Sequence, residues 1–160
     1  MNKEDKTYPI RGVERLLKRI LAVIVSASIL ALAVSVLNYV PQNQRESDVY
    51  YLGIVVYFLS TIWVYLLFYL VIGVPSSWVI DNYRQQYKEK TNVYQYFIGV
   101  ALYSLVGLFF GTAYYFILGS KQAYLYNFIE TLGFWAIALF LYFQALWVLE
   151  RGYLAKYVKG

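Results

Sequence analysis

Four long apolar stretches alternate with short polar breaks along the chain. Residues 20–40, 49–73 and 93–119 carry no charge, and residues 123–149 carry a single acid. A helix of about 20 apolar residues is long enough to cross the hydrocarbon core of a bilayer. The pattern therefore predicts an all-α protein, an integral membrane four-helix transmembrane bundle. We expect its spans at about residues 20–40, 50–74, 94–118 and 125–149.

The Lys and Arg residues are unevenly distributed among the polar breaks. Twelve of the fourteen fall in residues 1–19, 75–92 and 150–160, whereas Arg45 and Lys121 are the two in the remaining connections. Positive charge is enriched on the cytoplasmic side of membrane proteins. We therefore expect both termini in the cytoplasm and a multi-pass protein of the cell membrane.

The N-terminal segment predicts an amphipathic helix that leads into the first span. Its apolar residues follow the helical spacing i, i+3, i+4, i+7: Val13, Leu16, Leu17 and Ile20. Its flanking basic residues suit anionic lipid headgroups at the inner face or act as orientation signals only: Arg11, Arg15, Lys18 and Arg19. A cleaved signal peptide is the alternative for this region, but the apolar run continues past its small-residue site at Ala31–Ala33.

The polar segment between the second and third runs, residues 75–92, is predicted to be a cytoplasmic elbow. Val74 precedes Pro75, and a residue before proline is pushed out of the α region. The incoming helix is therefore expected to end near Gly73.

A short second helix is expected to follow in this elbow and to lie on the inner membrane surface. Ser76 and Ser77 are suitable N-caps, and Asp81 would lie in the first turns near the positive end of the helix dipole. Two interpretations stay open: a docking site for a cytoplasmic partner, and a plain connector whose charges hold the topology.

The same segment resembles a family of uncharacterised small four-span membrane proteins of Bacillus and related Gram-positive bacteria. The resemblance covers about the middle third of the chain and is carried by these residues: Gly73, Val74, Pro75, Ser77, Ile80, Asp81, Gly107 and Gly111. It implies a membrane location and four spans, and it implies no functional residue. One departure is the absence of histidine, which we expect early in the third span of many such proteins.

The residue types that are absent exclude several kinds of chemistry. The chain has no cysteine and no histidine, and one methionine at its start. Disulfides, thiolate nucleophiles, zinc sites built on Cys or His, and histidine general bases are therefore excluded. No phosphate-binding loop or dinucleotide glycine motif occurs. We expect no cofactor and no bound metal, and we expect the net charge of +5 to reflect topology and anionic lipid, with no role for nucleic acid.

Small residues and hydroxyl groups recur at helical spacing within the spans. Small side chains allow close helix contact, and two such faces occur: Ala27, Ala31 and Ser35 in the first span, and Gly107 and Gly111 in the third. The third-span face is suited to internal packing or to a homo-oligomer. The second span carries a hydroxyl series with two interpretations, a polar lining or internal packing: Tyr57, Thr61, Tyr65 and Tyr69.

Glu130 is the candidate ionisable site inside the membrane. An acid within a span is a functional-site hypothesis by default, and its candidate partners are Tyr57, Tyr114, Tyr115 and Lys121. If the span begins near residue 131, Glu130 instead lies at the outer boundary, where it would favour the helix N-terminus.

Two classes of function follow from these features. The first is a non-enzymatic multi-pass membrane protein with an accessory, regulatory or immunity-type role, which acts through contacts with the lipid bilayer or a membrane protein partner. The alternative is a small oligomeric transporter or proton-coupled carrier that uses Glu130. A membrane enzyme is disfavoured because the spans offer one acid and no histidine.

Overall fold

The computed structural model describes residues 8–87, 91–118 and 125–151, with side chains for 12–87, 91–117 and 128–150. Over these ranges the chain is helical apart from its connections. The helices are α1 (Tyr8–Leu37), α2 (Ile54–Phe68), α3 (Val74–Gln85), α4 (Asn92–Leu118) and α5 (Leu125–Arg151), with a 3₁₀ turn at Gln42–Gln44. A π-helical turn, Tyr69–Gly73, joins α2 to α3.

Four helical segments in the described ranges are long and apolar enough to cross a membrane, by length and composition. They are Gly12–Leu37, Ile54–Gln85, Asn92–Ile117 and Phe128–Glu150. The prediction of an all-α four-helix bundle is confirmed. The protein is a multi-pass membrane protein.

The helices run up and down in sequence order. α1 packs against α2 and α5, α3 packs against α4, and α4 packs against α5. Side chains at the centre of the bundle are fully buried, the largest being Tyr69, Tyr103, Tyr142 and Phe143. Aromatic rings fill much of the space between helices, so the interior is a packed core.

The predicted elbow is wrong in its geometry. Val74 has α-helical torsion angles, and its N–H donates to the carbonyl of Tyr69, five residues back. The wider π turn accommodates Pro75, which lacks an N–H and would clash with the preceding turn of a regular α-helix. The helix therefore continues without a break from Ile54 to Gln85, and no separate surface helix begins at Ser76.

The length of this second span helix has a direct consequence. Its 32 residues measure roughly 48 Å at 1.5 Å per residue, well beyond the ~30 Å hydrocarbon core. Its polar end, which carries Asp81 and Arg84, therefore projects from the apolar part of the bundle. Ser77 is buried and donates to the carbonyl of Val74 at 2.7 Å instead of capping a helix.

Candidate functional site

Charged side chains from three helices meet at the end of the bundle where α1 begins and α3 and α5 end. We call this the charged end. Arg19 comes from α1, Asp81 and Arg84 from α3, and Glu150 from α5. The antiparallel arrangement of the helices brings together residues that lie at the edges of different apolar runs.

Arg19 and Asp81 form the closest ion pair of this group. Arg19 Nη2 donates to Asp81 Oδ2 at 2.5 Å, and the two side chains are 10% and 24% exposed. The Arg19 guanidinium also lies over the Trp78 ring, 5.6 Å from its centroid. A buried cation that pairs with a carboxylate and packs on an aromatic face recovers much of the free energy that it loses on leaving solvent.

Arg84 is held more loosely by acidic groups. Its Nη1 atom lies 3.7 Å from Asp81 Oδ1 and 3.8 Å from Glu150 Oε2, which is longer than a normal hydrogen bond. Its guanidinium rests against two rings, 5.1 Å from Trp147 and 5.9 Å from Phe143. The Nε atom is buried and has no hydrogen-bond partner among the described residues.

Other polar contacts surround this cluster. Lys18 Nζ pairs with Glu14 at 2.6 Å, one turn earlier on α1. Gln144 donates to the Tyr96 hydroxyl at 2.7 Å and so links α5 to α4. Gln144, close to the charged end, therefore serves to tie two helices together.

Hydrogen bonds also link the start of α4 to the residues that follow α3 at the charged end. Gln95 donates to the carbonyl of Tyr87 at 3.4 Å. The Tyr87 hydroxyl donates to the Tyr83 hydroxyl at 3.5 Å, and this contact raises the pKa of Tyr87. These contacts place the start of α4 beside the end of α3.

A cavity of about 290 Å³ opens between the helices at the charged end. Its described lining contains four Lys or Arg residues, two acids and two amides, and so carries an excess of positive charge: Arg15, Lys18, Arg19, Asp81, Arg84, Gln85, Gln95 and Glu150. A concave site with convergent charged groups is a typical arrangement for binding a small polar ligand.

Two buried tyrosines lie close to this cluster. Tyr103 on α4 and Tyr142 on α5 are fully buried, with ring centroids 6.0 Å apart. The Tyr103 hydroxyl has no hydrogen-bond partner in the described part of the chain, whereas the Tyr142 hydroxyl interacts with Ser77, whose own hydroxyl donates to the Val74 carbonyl. Neither tyrosine is part of the described lining of the cavity, and both belong to the packed core beside it.

Glu130 lies far from this cluster. It is 20 residues before Glu150 on the same helix, about 30 Å away along the axis. Its side chain is exposed on the bundle, beside a shallow groove of about 280 Å³ that Tyr114 and Trp135 also line. Lys121, a candidate partner, lies outside the described residues.

The hydroxyl series of the second span packs against neighbouring helices at its inner half. The Tyr69 hydroxyl donates to the Ala138 carbonyl of α5 at 2.8 Å, and the Tyr65 ring lies 6.2 Å from that of Phe134. Thr61 donates to the Tyr57 carbonyl of its own helix at 2.9 Å. The contacts of Tyr65 and Tyr69 are those of interhelical packing, whereas that of Thr61 is internal to α2.

The small-residue faces lie inside the bundle. Ala27, Ala31 and Ser35 are all buried on α1. A methyl group placed on Gly107 would lie 2.7 Å from the Trp135 carbonyl oxygen, and one placed on Gly111 would lie 3.2 Å from Leu132. The glycine face of α4 is therefore covered by α5 and is closed to a second copy of the chain.

The sequence did not single out the charged cluster as a site. In the sequence, Arg19 is interpreted as an orientation signal or a lipid contact and Asp81 as a helix-start residue, and neither Arg84 nor Glu150 is singled out. One signal was available: Asp81 and Glu150 are acids on the side of the membrane that the Lys and Arg distribution marks as cytoplasmic. Acids at such edges are natural partners for the neighbouring basic residues.

Comparisons with known proteins add no identification. No family model, curated protein or solved structure matches the chain. The resemblance to small four-span proteins therefore stays a hypothesis. Within the described ranges, no three Asp or Glu residues come close enough together to hold a metal ion.

Proposed function

We propose that this multi-pass membrane protein acts without enzymatic chemistry, as an accessory, regulatory or immunity-type component of the cell membrane. Its working surface is the charged end, where it contacts lipid headgroups or a membrane protein partner. The observation that carries the proposal is the cluster of Arg19, Asp81, Arg84 and Glu150 around an open cavity. The rest of the described interior is packed with apolar and aromatic side chains.

The charged end faces the cytoplasm in this proposal. Twelve of the fourteen Lys and Arg residues fall in residues 1–19, 75–92 and 150–160, which include the start of α1 and the ends of α3 and α5. Such a bias sets the orientation of a membrane protein during insertion. The cavity would then open at the level of the inner headgroups, where a cytoplasmic or membrane partner has access to it.

The carrier hypothesis has less support in the arrangement of side chains. A proton-coupled carrier needs its ionisable group on a polar path through the bundle. Glu130 is exposed on the outside of α5, and the buried residues at the level of the bundle centre are tightly packed rings. A contact function requires no such path.

A flux experiment separates the two functions. The purified chain and its Glu130→Gln variant are reconstituted into vesicles that contain a pH-sensitive dye, and a proton or sodium gradient is imposed. We expect both preparations to equilibrate at the rate of empty vesicles. A flux in the wild-type vesicles that Glu130→Gln abolishes would contradict the contact proposal and support a carrier.

Site-specific photo-crosslinking in cells tests the contact surface itself. A photoreactive amino acid is placed at Asn82, which is exposed at the charged end, or at Ser60, which is exposed on α2. We expect a discrete adduct at position 82 and only acyl-chain adducts at position 60. Equal adduct patterns at the two positions would argue against a working surface at the charged end.

A further inference from the structure

The cavity at the charged end has the features of an anion site. Arg15, Lys18, Arg19 and Arg84 contribute four positive charges to its described lining, against two negative charges from Asp81 and Glu150. Glu14 pairs with Lys18 at 2.6 Å from outside this lining, so one positive charge remains in surplus. The cavity of about 290 Å³ approaches the size of ordinary small-ligand sites.

Arg84 is the residue best placed to bind an anion there. The Arg19 guanidinium is committed to Asp81 at 2.5 Å, whereas Arg84 reaches each of its acids at 3.7 Å or more. The rings of Trp147 and Phe143 hold the Arg84 guanidinium in place. A planar guanidinium held in this way presents a fork of donors that matches the oxygens of a phosphate group.

Arg84 also has unused hydrogen-bonding capacity at this cavity. Its Nε atom is buried and has no hydrogen-bond partner in the described part of the chain. A buried polar group without a partner costs free energy, so such groups call for an explanation. A ligand with several acceptor oxygens in the cavity would give Arg84 the hydrogen-bond partners that its acids, at 3.7 Å or more, do not supply.

We propose that this cavity binds a single phosphate group, with Arg84 as its anchor and Arg15 at the rim. The phosphate belongs either to a phospholipid headgroup or to a soluble phosphate. The inference rests on the proposed function, because it names the ligand of the surface through which the protein acts. Glu150 would compete with the phosphate for Arg84, because its carboxylate lies 3.8 Å from the Arg84 guanidinium.

Calorimetric titration of the purified full chain in a neutral detergent tests the proposal. The probes are dioctanoyl phosphatidylglycerol, dioctanoylglycerol without a phosphate, and inorganic phosphate, with chloride at equal ionic strength as the reference. We expect a phosphate-bearing probe to bind and dioctanoylglycerol not to bind. Tighter binding of the phospholipid identifies a headgroup as the source, and equal binding of inorganic phosphate identifies a soluble phosphate.

Two variants and one control assign the binding to the cavity. Arg84→Gln should weaken the phosphate Kd by roughly tenfold or more, as expected for loss of a charge-assisted hydrogen bond. Glu150→Gln should tighten the Kd several-fold, because it removes the competing carboxylate. Arg45→Gln makes the same charge change as Arg84→Gln at the opposite end, and it should leave the Kd unchanged.

A variant that merely misfolds would lose binding. The expected gain of affinity in Glu150→Gln therefore distinguishes an effect on the site from an effect on folding. The proposal is overturned if no phosphate probe binds, or if Arg84→Gln and Arg45→Gln weaken binding equally. Either result leaves the flux and crosslinking experiments unaffected, so a failure of the phosphate site is distinguishable from a failure of the proposed function.

Discussion

The two ends of the bundle hold their charged side chains in different ways. At the charged end, Arg19 and Asp81 are 62 residues apart in sequence and form a direct ion pair. At the opposite end, which carries the connection between α1 and α2 and is called the loop end below, Arg45 donates to the carbonyl of Val40 at 2.9 Å and lies beside the rings of Tyr39 and Tyr51. The charged end therefore depends on tertiary packing, whereas the loop end depends on local contacts.

The difference also separates the two candidate acids of α5. Glu150 belongs to a network that spans α3 and α5, and Glu130 is exposed at the other end of the same helix. Because Glu150 on α5 lies close to Arg84 on α3, a change at Glu150 is expected to alter both the stability of the bundle and binding at the charged end. The Glu150 side chain is itself 36% exposed, so the two acids differ in position: Glu130 lies about 30 Å along α5 from this network.

The largest effect is expected from breaking the ion pair at the charged end. Asp81→Ala leaves the Arg19 guanidinium, 8% exposed as a residue, without its acid partner. Loss of one member of such a pair costs about 3 kcal/mol or more. The free energy of unfolding in mixed detergent micelles measures this loss.

Asp48→Ala is the matched control, because Asp48 is exposed at the loop end. We expect it to change the unfolding free energy by less than about 0.5 kcal/mol. The double variant Arg19→Leu/Asp81→Leu should recover part of the loss, since no unpaired charge remains. Equal effects of Asp81→Ala and Asp48→Ala would remove the contrast between the two ends.

A second prediction concerns the close contact between α4 and α5. In Gly107→Ala the new methyl group meets the backbone of Trp135 and Ala136, within 2.8 Å of each, and backbone cannot move aside as a side chain can. Overpacking of this kind costs typically about 1–3 kcal/mol. Gly133→Ala on α5 meets nothing within 4 Å and should be neutral or slightly stabilising. Thermal unfolding of both variants in detergent makes the comparison, and equal melting temperatures would show that the two helices are not in such close contact.

A smaller effect on stability is expected in the hydroxyl series of the second span, where we compare a member near the charged end with one near the loop end. Tyr69→Phe removes the hydrogen bond to the Ala138 carbonyl and should cost about 1 kcal/mol of unfolding free energy. Tyr57→Phe changes the half-buried member nearest the loop end and should cost only a few tenths. A larger loss from Tyr57→Phe than from Tyr69→Phe would reverse the expected order.

The smallest effect on stability is expected at Glu130. Glu130→Gln should alter the unfolding free energy by less than about 0.5 kcal/mol, because the side chain is exposed. The absence of cysteine allows a direct test of exposure. In intact cells, an impermeant maleimide should label Glu130→Cys and Ser47→Cys and should leave Gln85→Cys at the charged end unlabelled. Protection of Glu130→Cys together with labelling of Ser47→Cys would place the acid inside the bundle and revive the carrier hypothesis.

Much of the fold could be predicted from the sequence because a membrane span is a local property. Each run of about 20 apolar residues must form a helix to satisfy its own backbone hydrogen bonds, and the four runs correspond to the four span helices. The small-residue spacing at Gly107 and Gly111 likewise indicated a close helix contact, and the structure identifies α5 as the neighbour.

The elbow could not be predicted, because the effect of Pro75 depends on its neighbours in space. The rule that a residue before proline leaves the α region describes a preference, and a π turn at Tyr69–Gly73 overrides it at Val74. Tyr69 in that turn is buried against α5, where its hydroxyl bonds to Ala138 and its ring stacks on Tyr142. Packing against another helix thus stabilises a backbone form that local propensity disfavours.

The sequence by itself determined that the chain is a four-span helical membrane protein without cysteine or histidine chemistry, because hydropathy and residue types need no partner to act. Only the tertiary structure decided that α3 continues the second span, that Glu130 is exposed, and that Arg19, Asp81, Arg84 and Glu150 share one site. Those features depend on which helix faces meet. Residues far apart in the chain become neighbours only when packing brings their helix ends together.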